Sequence, residues 1–232
     1  MACLRECSTP FGTFGGKIKH LSATELAVAS SKAALAAGKV DPNLIDEVFF
    51  GNVIPSSLDA AYLARHVGLK SGVPQDRPAL TLNRLCGSGF ETVIQGAESI
   101  ILGRSEVNLC GGTESMSQCQ LVAPGSVRWG IGYGQGLKLE DSLAAGLVDS
   151  HVKLPMGITA ENLAEQYGIT RQQCDEYGAR SQHTWKAARD AGVFDGALEL
   201  FVEVFVLCCL MRIRAHASHL LPCLLVDPNI CS

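Results

Sequence analysis

Between residues 22 and 112, short apolar runs of strand length alternate with longer stretches of helical period, and that rhythm leaves few folds open. Ser22-Ala-Thr-Glu25 has the spacing of a capping box, so an alanine-rich helix is expected from there to about Ala37, stopped by Gly38. Glu47 to Ile54 is a short apolar run between turn residues and reads as a strand. Asp59 to Leu69 reads as a helix ending near Gly72 and Pro74, Pro78 to Leu82 as a strand, and Phe90 to Leu102 as a helix stopped by Gly103. Val107 to Cys110 is a further strand, closed by Gly111-Gly112. Strands that alternate with helices in this way build an α/β fold around a mixed, mostly parallel sheet. In such sheets reactive groups gather beyond the carboxyl ends of the strands.

Cys86 falls at such an end. It lies in Leu85-Cys-Gly-Ser-Gly-Phe90, between the strand at 78–82 and the helix at 90–102. The first turn of a helix presents unpaired N–H groups and the positive end of the macrodipole, which favour a thiolate. Gly87 and Gly89 leave room for a substrate to approach the backbone. Cys86 is thus a candidate nucleophile, although spacing alone keeps ahead the reading of a small buried residue.

After Ser117 the rhythm breaks. Pro124 to Gly136 is glycine-rich without a period. Its Gly130-Ile-Gly-Tyr-Gly-Gln-Gly136 has Gln135 where a nucleotide-binding loop needs its third glycine, and no strand precedes it, so it reads as a plain loop. Helices are expected at about Ala160 to Tyr167 and Arg171 to Ala191, the second with Thr170 and Gln173 as a capping box and Gly192 as its stop. From Phe205 to Ser232 only Arg212, Arg214 and Asp227 are charged, and Val204 to Met211 reads as a buried strand or an aggregation-prone end. The expected organisation is therefore an α/β unit over 1–116, a helical excursion over 117–200 and an apolar tail over 201–232.

Composition removes several functions. A net charge of −4 with 18% charged residues gives no electrostatic footprint for nucleic acid. No run approaches the roughly 20 apolar residues that span a bilayer. The ten cysteines form no C-x-x-C pair, no N-x-S/T acceptor occurs and no secretory leader is legible, so reduced thiols in a reducing compartment are expected. Cys208, Cys209, His216, His219 and Cys223 match no common zinc spacing, and no metal or bound cofactor is expected.

The wording around the cysteine carries more than its spacing. Asn83-Arg-Leu-Cys-Gly-Ser-Gly-Phe90 and Leu109-Cys-Gly-Gly-Thr-Glu-Ser-Met-Ser117 resemble the thiolase family, nearest its mitochondrial 3-ketoacyl-CoA branch. Thr9-Pro-Phe-Gly12, Tyr62-Leu-Ala-Arg-His-Val-Gly-Leu69, Leu154-Pro-Met156 and Thr159-Ala-Glu-Asn162 support it, and the likeness runs from about Ser8 to about Phe194. It covers the first half of a thiolase and does not extend into 201–232. The wording argues against a ketoacyl synthase, and Gly87-Ser-Gly89 is not a serine hydrolase elbow.

The resemblance implies acyl transfer. A Cys86 thiolate would attack the 3-keto carbon of a 3-ketoacyl-CoA, acetyl-CoA would leave as an enolate to be protonated, and coenzyme A, as co-substrate, would take the acyl group. The Cys86 N–H would help form an oxyanion hole, and Met156 would line the acyl pocket, with a core methionine as the equal alternative. The region 117–200 would be the family's loop domain, which assists oligomer contacts. Location would be the mitochondrial matrix, and partners acyl-CoA thioesters. The remaining proton-handling groups of the family belong to C-terminal motifs. Asn-Glu-Ala-Phe and Gly-His-Pro do not occur here, and no counterpart of the Cys-x-Gly cysteine is recognised. His66 and His151 take no evident acid–base role.

The resemblance also implies a five-stranded mixed sheet with its first strand central. Arg5-Glu6 interrupts the only residues available for that strand, so it is expected to be short or missing, as is the last strand of the half. An incomplete fold of marginal stability follows, with exposed sheet edges. The competing expectation is therefore a truncated, catalytically incompetent chain that folds poorly or associates with full-length thiolase, rather than a self-sufficient acyltransferase.

Overall fold

The computed structural model describes residues 2–9, 11–194 and 208–212, with side chains at 7–9 and 11–194. In chain order the elements are β1 (Ala2–Cys7), α1 (Ala23–Gly38), β2 (Glu47–Gly51), α2 (Leu63–Lys70), β3 (Ala79–Leu82), α3 (Ser88–Ile101) and β4 (Val107–Gly112). Next come β5 (Leu121–Val122), β6 (Glu140–Asp141), α4 (Ser142–Gly146), β7 (Val148–Asp149), β8 (Leu154–Pro155), α5 (Met156–Tyr167), α6 (Arg171–Asp190) and β9 (Cys208–Arg212). Two compact units result, one from Met1–Gln118 with Ala197–Ser232, the other Cys119–Gly196.

The first unit is built on a five-stranded sheet in the order β1-β9-β4-β2-β3. β2 is parallel to both β3 and β4, whereas β9 is antiparallel to β4 and β1. This is the α/β architecture with a mixed, mostly parallel sheet that the sequence implies. Two expectations about its strands fail. β1 exists, with six residues, and lies at an edge instead of the centre. It tolerates Arg5-Glu6 because only one side is paired, and its register with β9 shifts between Cys3 and Arg5, as a bulge allows. The last strand is present too: β9 falls within the stretch expected to be a tail and fills the gap between β1 and β4. With both strands in place, marginal stability no longer follows from an omitted central strand. The rest of 201–232, including the imagined zinc cluster, lies outside the described side chains.

Alternation along the strands divides the core between the two faces. Val48 and Phe50 of β2 join Val107 and Leu109 of β4, Cys7 of β1, and the buried faces of α1 (Leu26, Ala27, Ala34, Leu35) and α2 (Leu63, Ala64, Val67). Phe49 and Cys110 point the other way, where Ile100, Val93 and Ala97 of α3 meet them. Ser22 and Glu25 cap α1 reciprocally, Glu25 N–H donating to Ser22 Oγ (3.2 Å) and Ser22 N–H to Glu25 Oε2 (2.8 Å). The last helical residue is Gly38, but the left-handed cap falls one residue later, on Lys39 (φ 51°), where the N–H of Val40 closes the turn on Leu35 O (3.0 Å). Gly103 takes the left-handed stop after α3 as the sequence suggests (φ 70°).

In the second unit β5 pairs with β6, β7 with β8, and α5 and α6 follow. Helix α5 starts at Met156, four residues before its expected start. Pro155, extended at the N-cap, sets that boundary, since proline costs nothing where helix N–H groups are unpaired. α6 carries the Thr170–Gln173 capping box read from the sequence.

Candidate active site

The carboxyl ends of three parallel strands meet in one row. Gly51 of β2 pairs with Leu82 of β3 on one side and Gly112 of β4 on the other. The amino end of α3 rests on this row. A Cβ built on Gly51 would come within 2.7 Å of the Ser88 backbone, and one on Gly112 within 2.9 Å of Gly89 Cα. Only glycine allows that approach. Gly87 and Gly89 have a different task in the sequence reading, room for a substrate beside the backbone; a Cβ on Gly89 would meet nothing within 4 Å, whereas one on Gly87 would come within 3.0 Å of the Phe90 ring. The tight packing is at Gly51 and Gly112, and the open space lies beside Gly89.

Cys86 sits one residue before Gly87, the N-cap of α3, and its side chain is exposed. The reading as a small buried residue is therefore set aside. The turn that carries it is held by its neighbours. Ser88, itself buried, accepts from the Arg84 N–H through Oγ (2.8 Å) and donates to Leu85 O (2.6 Å). Asn83 Oδ1 accepts from the Leu85 N–H (2.9 Å), and Leu85 takes a left-handed φ of 49°. A leucine seldom adopts that conformation unaided, so the turn holds it there. Arg84 pairs with Glu91 in the first turn of α3, and this hydrogen bond holds the Glu91 carboxyl below its usual range.

Behind the turn lies a second feature that sequence reading passed over. Glu114, two residues past β4, accepts from the N–H groups of Val53 (2.9 Å) and Ile54 (3.2 Å) and from Asn52 Nδ2 (3.0 Å). Burial pushes its carboxyl up, while those three donors pull it down in part. Thr113 and Ser115 donate to Ala23 O (2.8 Å) and Leu21 O (2.7 Å), tying the same loop to the start of α1. The signal for Glu114 was in the quoted Gly-Gly-Thr-Glu-Ser motif, but its role depends on contacts 60 residues away.

The other named residues belong to other elements. Met156 opens α5 in the second unit and is half exposed. His66 is hydrogen-bonded to Asp59 (3.1 Å) and stacks on Tyr62. The His151 backbone N–H is held by Asp149 Oδ1 (2.7 Å). Among the described residues no three His, Cys, Asp or Glu side chains gather as a metal site, and no helix is long and apolar enough to cross a membrane.

Comparison with known proteins matches residues 4–199 to the family described as "Thiolase, N-terminal domain". The chain belongs to the thiolase family. It is 58% identical over 187 residues to the mitochondrial 3-ketoacyl-CoA thiolase of Mus musculus, a match covering 81% of this chain and 47% of that protein. It superposes on human mitochondrial 3-ketoacyl-CoA thiolase with a TM-score of 0.81 and 52% identity, covering 84% of this chain and 50% of the other. With the same human enzyme solved in complex with CoA the TM-score is 0.83 at 48% identity, covering 93% and 54%. The chain thus spans about half the length of the curated thiolases it matches, and the matching half is the N-terminal one.

Proposed function

We propose that this chain carries the nucleophile-bearing half of a thiolase-type acyltransferase, with Cys86 as the residue that takes the acyl group. The supporting observation is the exposed thiol of Cys86 at the start of α3, above the glycine-lined row of strand ends. Attack of the thiolate on the 3-keto carbon of a 3-ketoacyl-CoA forms an acyl–Cys86 thioester. The carbon–carbon bond breaks, and its electron pair stays with the acetyl-CoA fragment, which is then protonated. Coenzyme A as co-substrate then receives the acyl group, as CoA binding by the human relative suggests. Met156 lines the acyl pocket in this reading. Residues 1–116 together with β9 form the α/β half in this reading, and 117–200 the loop domain. The place of action is the mitochondrial matrix, after the mitochondrial relatives.

Incubation with acetoacetyl-CoA followed by peptide mass spectrometry tests this. An acetyl group is expected on Cys86, absent from Cys86→Ala. An adduct on another side chain, or none, overturns the reading.

A second reading is favoured by the C-terminal acid–base motifs that do not occur in these 232 residues. In it, the chain turns over no substrate by itself and associates with full-length thiolase. Steady thiolysis of acetoacetyl-CoA by the purified chain, lost in Cys86→Ala, rules that out.

A further inference from the structure

We infer that Glu114 is a positioning residue for Cys86, gripping the turn that presents the thiol through the Val53–Ile54 peptide and Asn83. The inference rests on the reading of Cys86 as the nucleophile.

β2 ends at Gly51, so the N–H groups of Val53 and Ile54 lie outside its ladder and take partners from another part of the chain. Glu114 supplies both, one on each carboxylate oxygen, while Oε1 also accepts from Asn52 Nδ2. Asn52 Nδ2 in turn donates to Thr113 O (3.0 Å), which fixes the amide beside the carboxylate. The same Val53–Ile54 peptide is held from its other side, because Val53 O accepts from Asn83 Nδ2 (3.1 Å). Asn83 Oδ1 then accepts from the N–H of Leu85, the residue with φ 49° that precedes Cys86. The connection from the Glu114 carboxylate to the residue before the thiol is unbroken: carboxylate, peptide, side-chain amide, turn. Serial hydrogen bonds of this kind polarise and stiffen one another. The strained leucine is the part of the turn that relaxes first if the series is cut.

An ionised carboxylate at position 114 meets all three donors with accepting oxygens. A glutamine of the same size offers one oxygen and one NH2, so whichever way it turns, at least one of the three donors faces another donor. An aspartate is shorter but keeps two accepting oxygens. A residue that merely fills space would rank glutamine nearer the wild type. A residue that grips by accepting would rank aspartate nearer.

Iodoacetamide alkylation of the full chain decides between them, with the Cys86 rate read by peptide mass spectrometry relative to exposed Cys174 on α6. Glu114→Gln and Asn83→Ala are each expected to slow Cys86 relative to Cys174 by about fivefold, the population shift from losing one hydrogen bond of ordinary net strength. Glu114→Asp is expected to fall between Gln and the wild type. The double variant Glu114→Gln/Asn83→Ala is expected to be no slower than the slower single, since both cut one series. A wild-type ratio in Glu114→Gln, a greater loss in Asp than in Gln, or losses that multiply in the double variant would overturn the inference. If Glu114→Gln does not fold, Asn83→Ala and Glu114→Asp still separate gripping from space-filling. An unslowed Asn83→Ala, or a wild-type ratio in Glu114→Asp, counts against the grip. The acetyl-adduct experiment above tests the nucleophile separately, so a failed adduct and a failed ranking are distinguishable.

Discussion

The two units of this chain reach order by different physical means. The first unit buries Phe50, Leu109, Ile45, Leu63 and Val67 almost completely. In the second, every described residue from 119 to 194 stays at least partly exposed. One unit is held by apolar area removed from water. The other takes its local shape from caps, short ladders and side-chain pairs along α6, among them Arg171–Asp175 and Lys186–Asp190. The role proposed for Cys86 needs a turn fixed to a fraction of an ångström, and burial provides such rigidity; Cys86 belongs to the unit that has a core.

The sharpest way to break this comparison is a matched pair of truncations followed by urea unfolding. Phe50→Ala is expected to cost about 3–5 kcal/mol, because a fully buried ring is lost and a cavity remains. Leu163→Ala in half-exposed α5 is expected to cost under about 0.5 kcal/mol. Equal losses would end the distinction. A smaller effect compares one capping device in two settings. Ser22→Ala and Thr170→Ala each remove an N-cap acceptor worth about 1 kcal/mol. Ser22→Ala is expected to lower the midpoint of global unfolding, Thr170→Ala only to speed hydrogen exchange along α6. A global shift from Thr170→Ala would show that α6 unfolds with the core.

A gentler effect depends on pH. Burial raises the Glu114 carboxyl, so the folded chain binds that proton more tightly than the unfolded chain. Its stabilising contribution is complete below the ordinary carboxylate value and is lost as pH rises through the raised one. The exposed Asp190 of α6 has the opposite sign: hydrogen bonding to Lys186, then Arg189, holds it low, so its contribution fades as pH falls. Comparing melts of wild type with Glu114→Gln from acid to neutral pH is expected to show the wild type losing ground upward. A flat difference would contradict the buried setting of Glu114. The smallest expectation is Arg171→Ala, about 0.3 kcal/mol from one exposed i,i+4 pair, read as α6 exchange and suppressed by salt.

Much of both units was legible where the signals are local. The Ser22 and Thr170 capping boxes, the apolar runs at 47–54 and 107–110 and the Gly103 stop depend on residues within a few positions of each other, and each formed where expected, except that the strand in 47–54 ends at Gly51. The helix α3 after Cys86 was legible for the same reason, although it starts at Ser88, two residues before the expected Phe90. β1 and β9 were not. A strand of mixed polarity such as Leu4-Arg-Glu-Cys7 has no decisive period, and only pairing with a distant partner makes it a strand. The close approach at Gly51 and Gly112 also escaped, since glycines that end strands read as turns until a helix is seen resting on them. Glu114 escaped for a related reason: a carboxylate in a motif gives no hint of which N–H groups it will meet.

The sequence by itself determined where α1 and α6 start and where α3 stops, that a parallel-stranded α/β unit would form, and that one cysteine would stand at the head of a helix beside family-specific wording. Those depend on backbone periodicity and capping, whose range is a few residues. The tertiary structure decided that β9 lies between β1 and β4, that α3 seats on two glycines, and that Glu114 grips Val53–Ile54. Strand order, close approach and carboxylate partnership are pairings between residues far apart in sequence, set by which arrangement buries the apolar faces and leaves fewest N–H groups without acceptors.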